Sequence, residues 1–239
     1  MSTGRGRFAL PALCLIGFCL FAALGVWQLE RRAWKLDLIE RVERRIHAAP
    51  VPPPPPERWD RVAPREIEYR RVALRGWYRH EAETLVDALT ERGPGFWVLT
   101  PLRTDNGTFL VNRGFVPREK RDPDARRAGQ VTGEVAVTGL VRLSEPGGRF
   151  LRPNRPAEDR WYSRDVGRIA ERRGLARVAP FFIDADEAPN PGGHPLGGLT
   201  IVRFRNTHLI YALTWFGLAF LCLFGLVVAL RPGHSREQT

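Results

Sequence analysis

His208 is the residue whose type and position most directly indicate chemistry. It is the second residue of a run without acidic or strongly basic residues, Thr207 to Leu230. An ionisable side chain that enters a membrane span indicates a functional site. At about 100° per residue, Tyr211 and Trp215 share a helical face with His208 and two alanines. An imidazole beside aromatic and small residues could be the axial ligand of a haem iron.

A second interpretation of this histidine stays open. An interfacial histidine can also cap a helix or touch lipid headgroups, with Trp215 as part of an aromatic belt. Among the possible axial ligands His208 is the best placed, since Met1 is the one methionine and each cysteine lies deeper in an apolar run, at positions Cys14, Cys19 and Cys222. The remaining histidines have no second ligand at metal spacing, and these are His47, His80, His194 and His234.

The segment between the apolar runs has no catalytic motif. It contains no G-x-S-x-G, no H-E-x-x-H, no glycine-rich phosphate loop and no cysteine. The same absence of sulfur excludes a disulfide scaffold, a thiol redox catalyst, a cysteine zinc site and a methionine-rich copper carrier. We therefore expect no enzyme activity.

Two apolar runs are long enough to cross a bilayer. Phe8–Gln28 and Thr207–Leu230 each exceed the roughly 20 residues that span a hydrocarbon core of about 30 Å. Arg5 and Arg7 precede the first run as they would in a signal peptide. That run is longer than a signal-peptide core and has no A-x-A cleavage site, so we expect an uncleaved anchor.

The charged residues predict orientation and partners. Arginines in both tails place both termini in the cytoplasm by the positive-inside rule, and no mitochondrial presequence precedes the first run. We expect a bacterial inner-membrane protein whose central domain is periplasmic. The net charge is +11, but cations and acids alternate and no nucleic-acid motif is present, so the bilayer or an acidic protein surface is the expected partner rather than nucleic acid.

The central region predicts β-structure, because the hydrophobic period changes to two from Glu66 onward. Asp105-Asn106-Gly107 is a strong hairpin signal. The predicted strands are Glu68–Tyr78, Thr84–Ala88, Phe96–Thr104, Thr108–Pro117, Glu134–Leu143, Arg177–Asp184 and Leu199–Arg205. We expect a membrane protein in which two transmembrane helices flank a β-rich, α+β extracytoplasmic domain, a mostly antiparallel sheet or partly closed barrel.

Two local signals refine this domain. A helix is expected near Asp165–Arg173, with Ser163 or Asp165 as N-cap and Gly174 at its end. Gly76 lies inside a predicted strand, where glycine usually marks a bulge or a close backbone approach.

These features divide the chain into seven predicted segments. They are a cytoplasmic tail (1–7), a transmembrane helix (8–28), a helical extension (29–49), a Pro-rich linker that acts as a semi-rigid spacer (50–65), the periplasmic β-rich domain (66–206), a second transmembrane helix (207–230) and a cytoplasmic tail (231–239).

Six groups of motifs follow one another along the chain. They are Gly25-Val26-Trp27-Gln28 with Arg31 and Trp34-Lys35, Tyr69-Arg70-Arg71-Val72 with Arg75-Gly76-Trp77-Tyr78, Gly93 to Leu102, Val111 to Pro117, Trp161 to Asp165, and Asn206 to Trp215. This ordered set covers nearly the whole chain, both spans included, and resembles the Surfeit-locus cytochrome oxidase assembly proteins.

The resemblance implies a membrane chaperone that binds haem a and assists its delivery from haem A synthase into subunit I of a haem-copper oxidase. The histidine of the second span that bacterial members associate with haem a corresponds here to His208. Trp27 and Gln28 lie at the same depth and could line the same site, with Tyr211 and Trp215. A haem-free scaffold that stabilises nascent subunit I by protein contacts remains the alternative.

Overall fold

The computed structural model describes residues 5–199 and 206–231, and these residues fall into two compact units. The first unit takes its residues from 1–41 and 203–239, and the second is 42–202. The α-helices are α1 (Arg5–Ile46), α2 (Pro64–Ile67), α3 (Val166–Arg172) and α4 (His208–Leu230). Short 3₁₀ helices cover Pro56–Arg58, His80–Ala82, Arg118–Lys120, Pro123–Gly129, Pro156–Glu158 and Pro191–Gly193.

The first unit is an antiparallel pair formed by α1 and α4. A Cβ added at Gly25 would lie 2.6 Å from the ring of Phe216, and one added at Gly17 would lie 2.9 Å from Cys222 Sγ. Residues nearer the start of α1 thus contact residues nearer the end of α4, so the two helices are antiparallel. Small residues allow this close approach, as is usual between membrane helices. Both helices are long and apolar enough to cross a membrane.

The second unit is built on a closed five-stranded barrel. Its sheet has the order β1-β5-β8-β4-β3-β2, and the additional pairing of β1 with β3 closes the ring. β4 and β8 are parallel, and the other neighbours are antiparallel. The strands are β1 (Arg71–Tyr78), β2 (Thr84–Thr90), β3 (Gly93–Thr104), β4 (Gly107–Pro117), β5 (Glu134–Leu143), β6 (Gly148–Arg149), β7 (Arg152–Pro153) and β8 (Val178–Ala185), with β6 and β7 forming a separate hairpin.

Alternate residues of the barrel strands fill its interior. This buried cluster includes Val72, Leu102, Phe109, Val111, Val141, Phe181 and Ile183. Residues of opposite parity on β4 and β8, Leu110 and Phe182, face outward and pack with Ile169 of α3 and with Trp161. Period-two alternation therefore builds two apolar layers, one inside the barrel and one beneath α3.

Gly76 stands where β1 meets β3. Its neighbour Trp77 pairs with Arg103, and a Cβ added at Gly76 would lie 2.1 Å from the Arg103 carbonyl oxygen. This separation is far inside van der Waals contact, so the barrel can close here only around a glycine. The predicted close backbone approach is confirmed.

The fold class predicted from the sequence is confirmed, and strand ends differ by a few residues. Asp105 and Asn106 form the turn between β3 and β4, with Thr104 paired to Gly107. The Asp165 carboxylate accepts from the Arg168 N–H at 3.1 Å and caps α3. Of the predicted strand Leu199–Arg205, residues 200–205 lie outside the described residues.

The proline-rich linker is held against the barrel by backbone and side-chain contacts. Val51 pairs with β1, since its N–H donates to the Arg71 carbonyl at 3.1 Å and its carbonyl accepts from the Ala73 N–H at 3.0 Å. Trp59 donates through Nε1 to the Pro54 carbonyl at 2.9 Å. Its ring meets that of Phe109 edge-on, with centroids 5.8 Å apart, so the linker covers part of the barrel interior.

Candidate haem-binding site in the helix pair

His208 is the first residue of α4. Thr207 provides no side-chain cap, and the Asn206 Oδ1 atom accepts from the His208 backbone N–H at 3.4 Å. The imidazole is therefore not needed to cap the helix, because a neighbouring amide already accepts from this N–H. Its ring nitrogens are available for contacts across the helix pair.

Gln28 of α1 makes that contact. The His208 Nδ1 atom and the Gln28 Oε1 atom are 2.8 Å apart, and Gln28 is 8% exposed. An amide oxygen only accepts, so with the Gln28 amide in this orientation the contact requires a proton on His208 Nδ1. The Nε2 atom then holds a free lone pair, which is the arrangement found in histidines that ligate metals through Nε2.

Trp215 lies two turns further along α4 and packs against α1. Its ring stacks on that of Phe21, with centroids 5.7 Å apart and planes 16° apart. The Trp215 Nε1–H is buried and has no hydrogen-bond partner among the described residues. Ala212 and Ala219, which are almost fully buried, lie on the same face and let the helices approach.

Trp27 and Tyr211 lie on the outside of the helix pair. Each is 53% exposed, and neither side chain makes a hydrogen bond or ring contact with another described residue. The structure thus joins His208 to Gln28 and places Trp215 in the helix contact, whereas it leaves Trp27 and Tyr211 free for a ligand or lipid outside the pair.

Sequence reasoning missed Phe21 as the partner of Trp215. The signal was present, because Cys14, Gly17, Phe21, Gly25 and Gln28 recur every three or four residues along one face of α1. In a run that is apolar all round, that spacing does not stand out by hydrophobicity. Its small and polar members are what distinguish the face.

A haem is compatible with the donors of this unit. Among residues 5–199 and 206–231, no cluster of three or more His, Cys, Asp or Glu could hold a metal ion, so iron would depend on His208 with a porphyrin supplying the remaining ligands. Cys222 is 14 residues further along α4, or about 21 Å at 1.5 Å per residue, and is too distant to share the iron. The residues present fit a singly ligated haem.

Buried ion pairs in the barrel unit serve its structure. The Asp184 carboxylate, 1% exposed, accepts from Asn112 at 2.7 Å and lies 3.2 Å from Arg142 and 3.4 Å from Arg164. Burial raises the pKa of Glu145, but hydrogen bonds from Arg164 and its charge outweigh this and hold the pKa below its usual value. Asp184 of β8 is thus linked to β4 through Asn112, to β5 through Arg142 and to the segment before α3 through Arg164.

Comparisons with known proteins match most of the chain. The family model described as the SURF1 family matches residues 15–220, which include the barrel and most of both membrane helices. The chain belongs to the SURF1 family. This family is known for cytochrome oxidase assembly factors rather than catalytic enzymes.

Several curated SURF1 relatives are similar over most of the chain. Surfeit locus protein 1 of Rattus norvegicus is 43% identical over 213 residues, 82% of this chain and 67% of the relative. The Homo sapiens protein of the same name is 42% identical over 214 residues, with 82% and 69% covered. A SURF1-like protein of Monosiga brevicollis is 37% identical over 231 residues, with 90% and 85% covered. The motif-based resemblance to this family is confirmed.

Proposed function

We propose that this SURF1 protein binds haem a through His208 and assists its delivery into subunit I of a haem-copper oxidase. The observation that carries the proposal is the 2.8 Å hydrogen bond between His208 Nδ1 and Gln28 Oε1 within the helix pair. With the Gln28 oxygen as acceptor, this hydrogen bond supports the neutral tautomer whose Nε2 lone pair can bind iron. Family membership supports the oxidase as the destination.

A single imidazole suits a carrier. A haem that must be passed on has to be held without a second strong protein ligand, and the one methionine of the sequence is Met1. When bound, the haem supplies an iron that takes the imidazole lone pair, while redox chemistry belongs to the finished oxidase. His208 binds, Gln28 holds the Nδ1 proton, and the exposed rings of Trp27 and Tyr211 would contact the porphyrin.

Trp215 has a different role in this proposal. Because its ring already stacks on Phe21, it would support the site by holding α4 against α1 in the register that brings His208 to Gln28. Its unpartnered Nε1–H lies on the same face and is available to an acceptor.

The proposal includes the orientation of the protein in the membrane and the source of the haem. Basic residues in both tails support cytoplasmic termini in a bacterial inner membrane, with the barrel unit in the periplasm. Haem A synthase would be the source of the haem, since haem a is the form to be inserted.

A haem-free scaffold remains the second candidate, and one observation favours it. The His208–Gln28 hydrogen bond also satisfies two polar side chains inside an apolar helix pair, which by itself stabilises membrane helices. In that case the chain would stabilise nascent subunit I by protein contacts only.

The visible spectrum of the purified protein separates the two candidates. After co-expression with haem A synthase, the haem-binding proposal predicts Soret and α bands that co-purify with the protein in about equimolar amount. The same preparation without the synthase is the control for other haems. A colourless protein from both preparations, with oxidase assembly still supported, would favour the scaffold.

A further inference from the structure

A groove in the barrel unit, of about 580 Å³, has the size of a ligand site. It is lined by β2, β3, the 3₁₀ turn His80–Ala82 and residues 159–162. Part of the lining is apolar and aromatic, supplied by Leu85, Phe96, Trp161 and Tyr162. Such a surface can stack against flat or apolar side chains of a partner.

The acidic residues of this groove are all neutralised by arginines. Each of the four carboxylates that line it has an arginine partner within 4 Å, so none is left to attract a cation. The pairs are Glu81–Arg79 at 2.9 Å, Glu83–Arg126 at 3.0 Å, Asp87–Arg149 at 3.8 Å and Asp159–Arg173 at 2.8 Å.

Once these pairs are counted, positive charge is in excess, because Arg121 and Arg160 are additional to the four arginines that pair with the groove carboxylates. The Arg121 guanidinium lies 5.5 Å from the centroid of the Phe96 ring and makes no ion pair with a described acid. The Arg160 side chain is 61% exposed, and among the described acids it pairs only with Glu158, at 3.5 Å, which Arg155 contacts at the same distance. The groove therefore favours a negatively charged ligand.

The β6–β7 hairpin adjoins the groove and carries two exposed apolar side chains at its tip. Phe150 is 92% exposed and Leu151 is 84% exposed. Two contacts tie the hairpin to the groove lining, since Arg152 lies over the Tyr162 ring at 5.8 Å and Arg149 pairs with Asp87. Large apolar side chains this exposed indicate an interaction surface.

We propose that the groove and this tip form one docking surface for an acidic peptide segment of a partner protein that also carries aromatic side chains. Arg121 and Arg160 would pair with the carboxylates, and the aromatic lining with Phe150 would take the rings. A bilayer surface would engage the tip but not the concave groove beside Trp161, so the geometry favours a polypeptide. This surface lies entirely in the barrel unit and does not depend on haem binding.

The test is peptide binding to the purified full chain in detergent. Binding is measured by the fluorescence anisotropy of the peptide at low ionic strength. The probe is a labelled hexapeptide of alternating Glu and Phe, and its counterpart of alternating Lys and Phe is the control. We expect the acidic peptide to bind at least about tenfold more tightly, with an affinity that falls as salt is added.

Variants assign the binding to this surface. Arg121→Gln should weaken it about two- to fivefold, as expected for an exposed charge pair, and Phe150→Ala about tenfold through lost apolar contact. Both residues are exposed, so the thermal transition should not change. Arg75→Gln on β1, also exposed and outside the groove, should bind like the unmodified protein.

Three results would overturn the proposal. They are equal binding of the acidic and basic peptides, unchanged binding by both Arg121→Gln and Phe150→Ala, and stronger quenching of a Phe150→Trp variant than of the unmodified protein, with its seven tryptophans, by brominated phospholipid in nanodiscs. The last result would assign the tip to the membrane.

Discussion

Replacing Gln28 tests the link between the helix pair and haem ligation. Gln28→Leu introduces an apolar side chain of similar size and removes the acceptor that lies 2.8 Å from His208 Nδ1. The imidazole would then be free to carry its proton on either nitrogen and to rotate. We expect weaker haem binding with His208 still present.

The magnitude follows from the position of Gln28 behind the ligand. Loss of a partner that orients a metal-ligating histidine costs about 10–100-fold in affinity, which equals about 1.4–2.7 kcal/mol. A hydrogen bond between membrane helices contributes only about 0.6 kcal/mol to their association on average. The change in haem affinity should therefore exceed the change in stability.

The assay is haem titration of the purified protein, monitored by absorbance, together with thermal unfolding in the same detergent. Gln28→Glu is the matched control, because a carboxylate keeps an acceptor at this position, and it should bind haem within about threefold of the unmodified protein. If Gln28 instead donated to Nδ1 through its amide nitrogen, Glu would weaken binding as much as Leu. That result, or unchanged affinity in Gln28→Leu, would refute the reasoning.

Three further predictions concern topology, barrel closure and acid stability. A reporter active only in the periplasm should be silent when fused after Thr239 and active when inserted near Pro54, and the reverse pattern would contradict the proposed orientation. Gly76→Ala should destabilise the barrel unit by at least about 2 kcal/mol, because its Cβ would meet a carbonyl oxygen at 2.1 Å. Gly76→Glu should yield a protease-sensitive domain and lost oxidase assembly with normal membrane insertion, whereas Gly167→Ala, with open space in α3, should be tolerated. The folded-state pKa of Glu145 lies below its usual value of 4.5. Its ion pair with Arg164 therefore contributes fully to stability above pH 4.5, and this contribution is lost as the pH falls through the folded-state pKa. The difference in unfolding free energy between the unmodified protein and Glu145→Gln should shrink below about pH 4.5.

Local signals predicted the elements of the fold better than their closure. Alternation gave β5 with its observed bounds, and Asp105-Asn106-Gly107 gave the β3–β4 turn, because both depend on neighbouring residues. The pairing of β1 with β3 joins residues about 25 positions apart, and no local pattern encodes it. The glycine that permits it, Gly76, was the available hint.

The residues of the site were predicted from residue type and depth, which placed Gln28 at the level of His208, but the hydrogen bond between the two was not predicted. His208 stood out as an ionisable residue at the start of an apolar run. Its bond to Gln28 spans 180 residues of sequence, so only the antiparallel packing of α1 and α4 brings the two together. Phe21 was missed for the same reason, and Trp27, placed at the same depth by sequence, lies on the outside of the pair.

The most direct test of the central claim is the bound-haem spectrum of His208→Ala after co-expression with haem A synthase. Protein amount and topology should stay unchanged, because the side chain lies at the first residue of α4 and its loss leaves no charge unpaired. His47→Ala, an exposed histidine elsewhere in the chain, is the matched control and should retain the full spectrum. The account predicts that His208→Ala loses or shifts the haem bands and lowers oxidase activity without abolishing it. An unaltered spectrum in His208→Ala would contradict haem ligation by this residue.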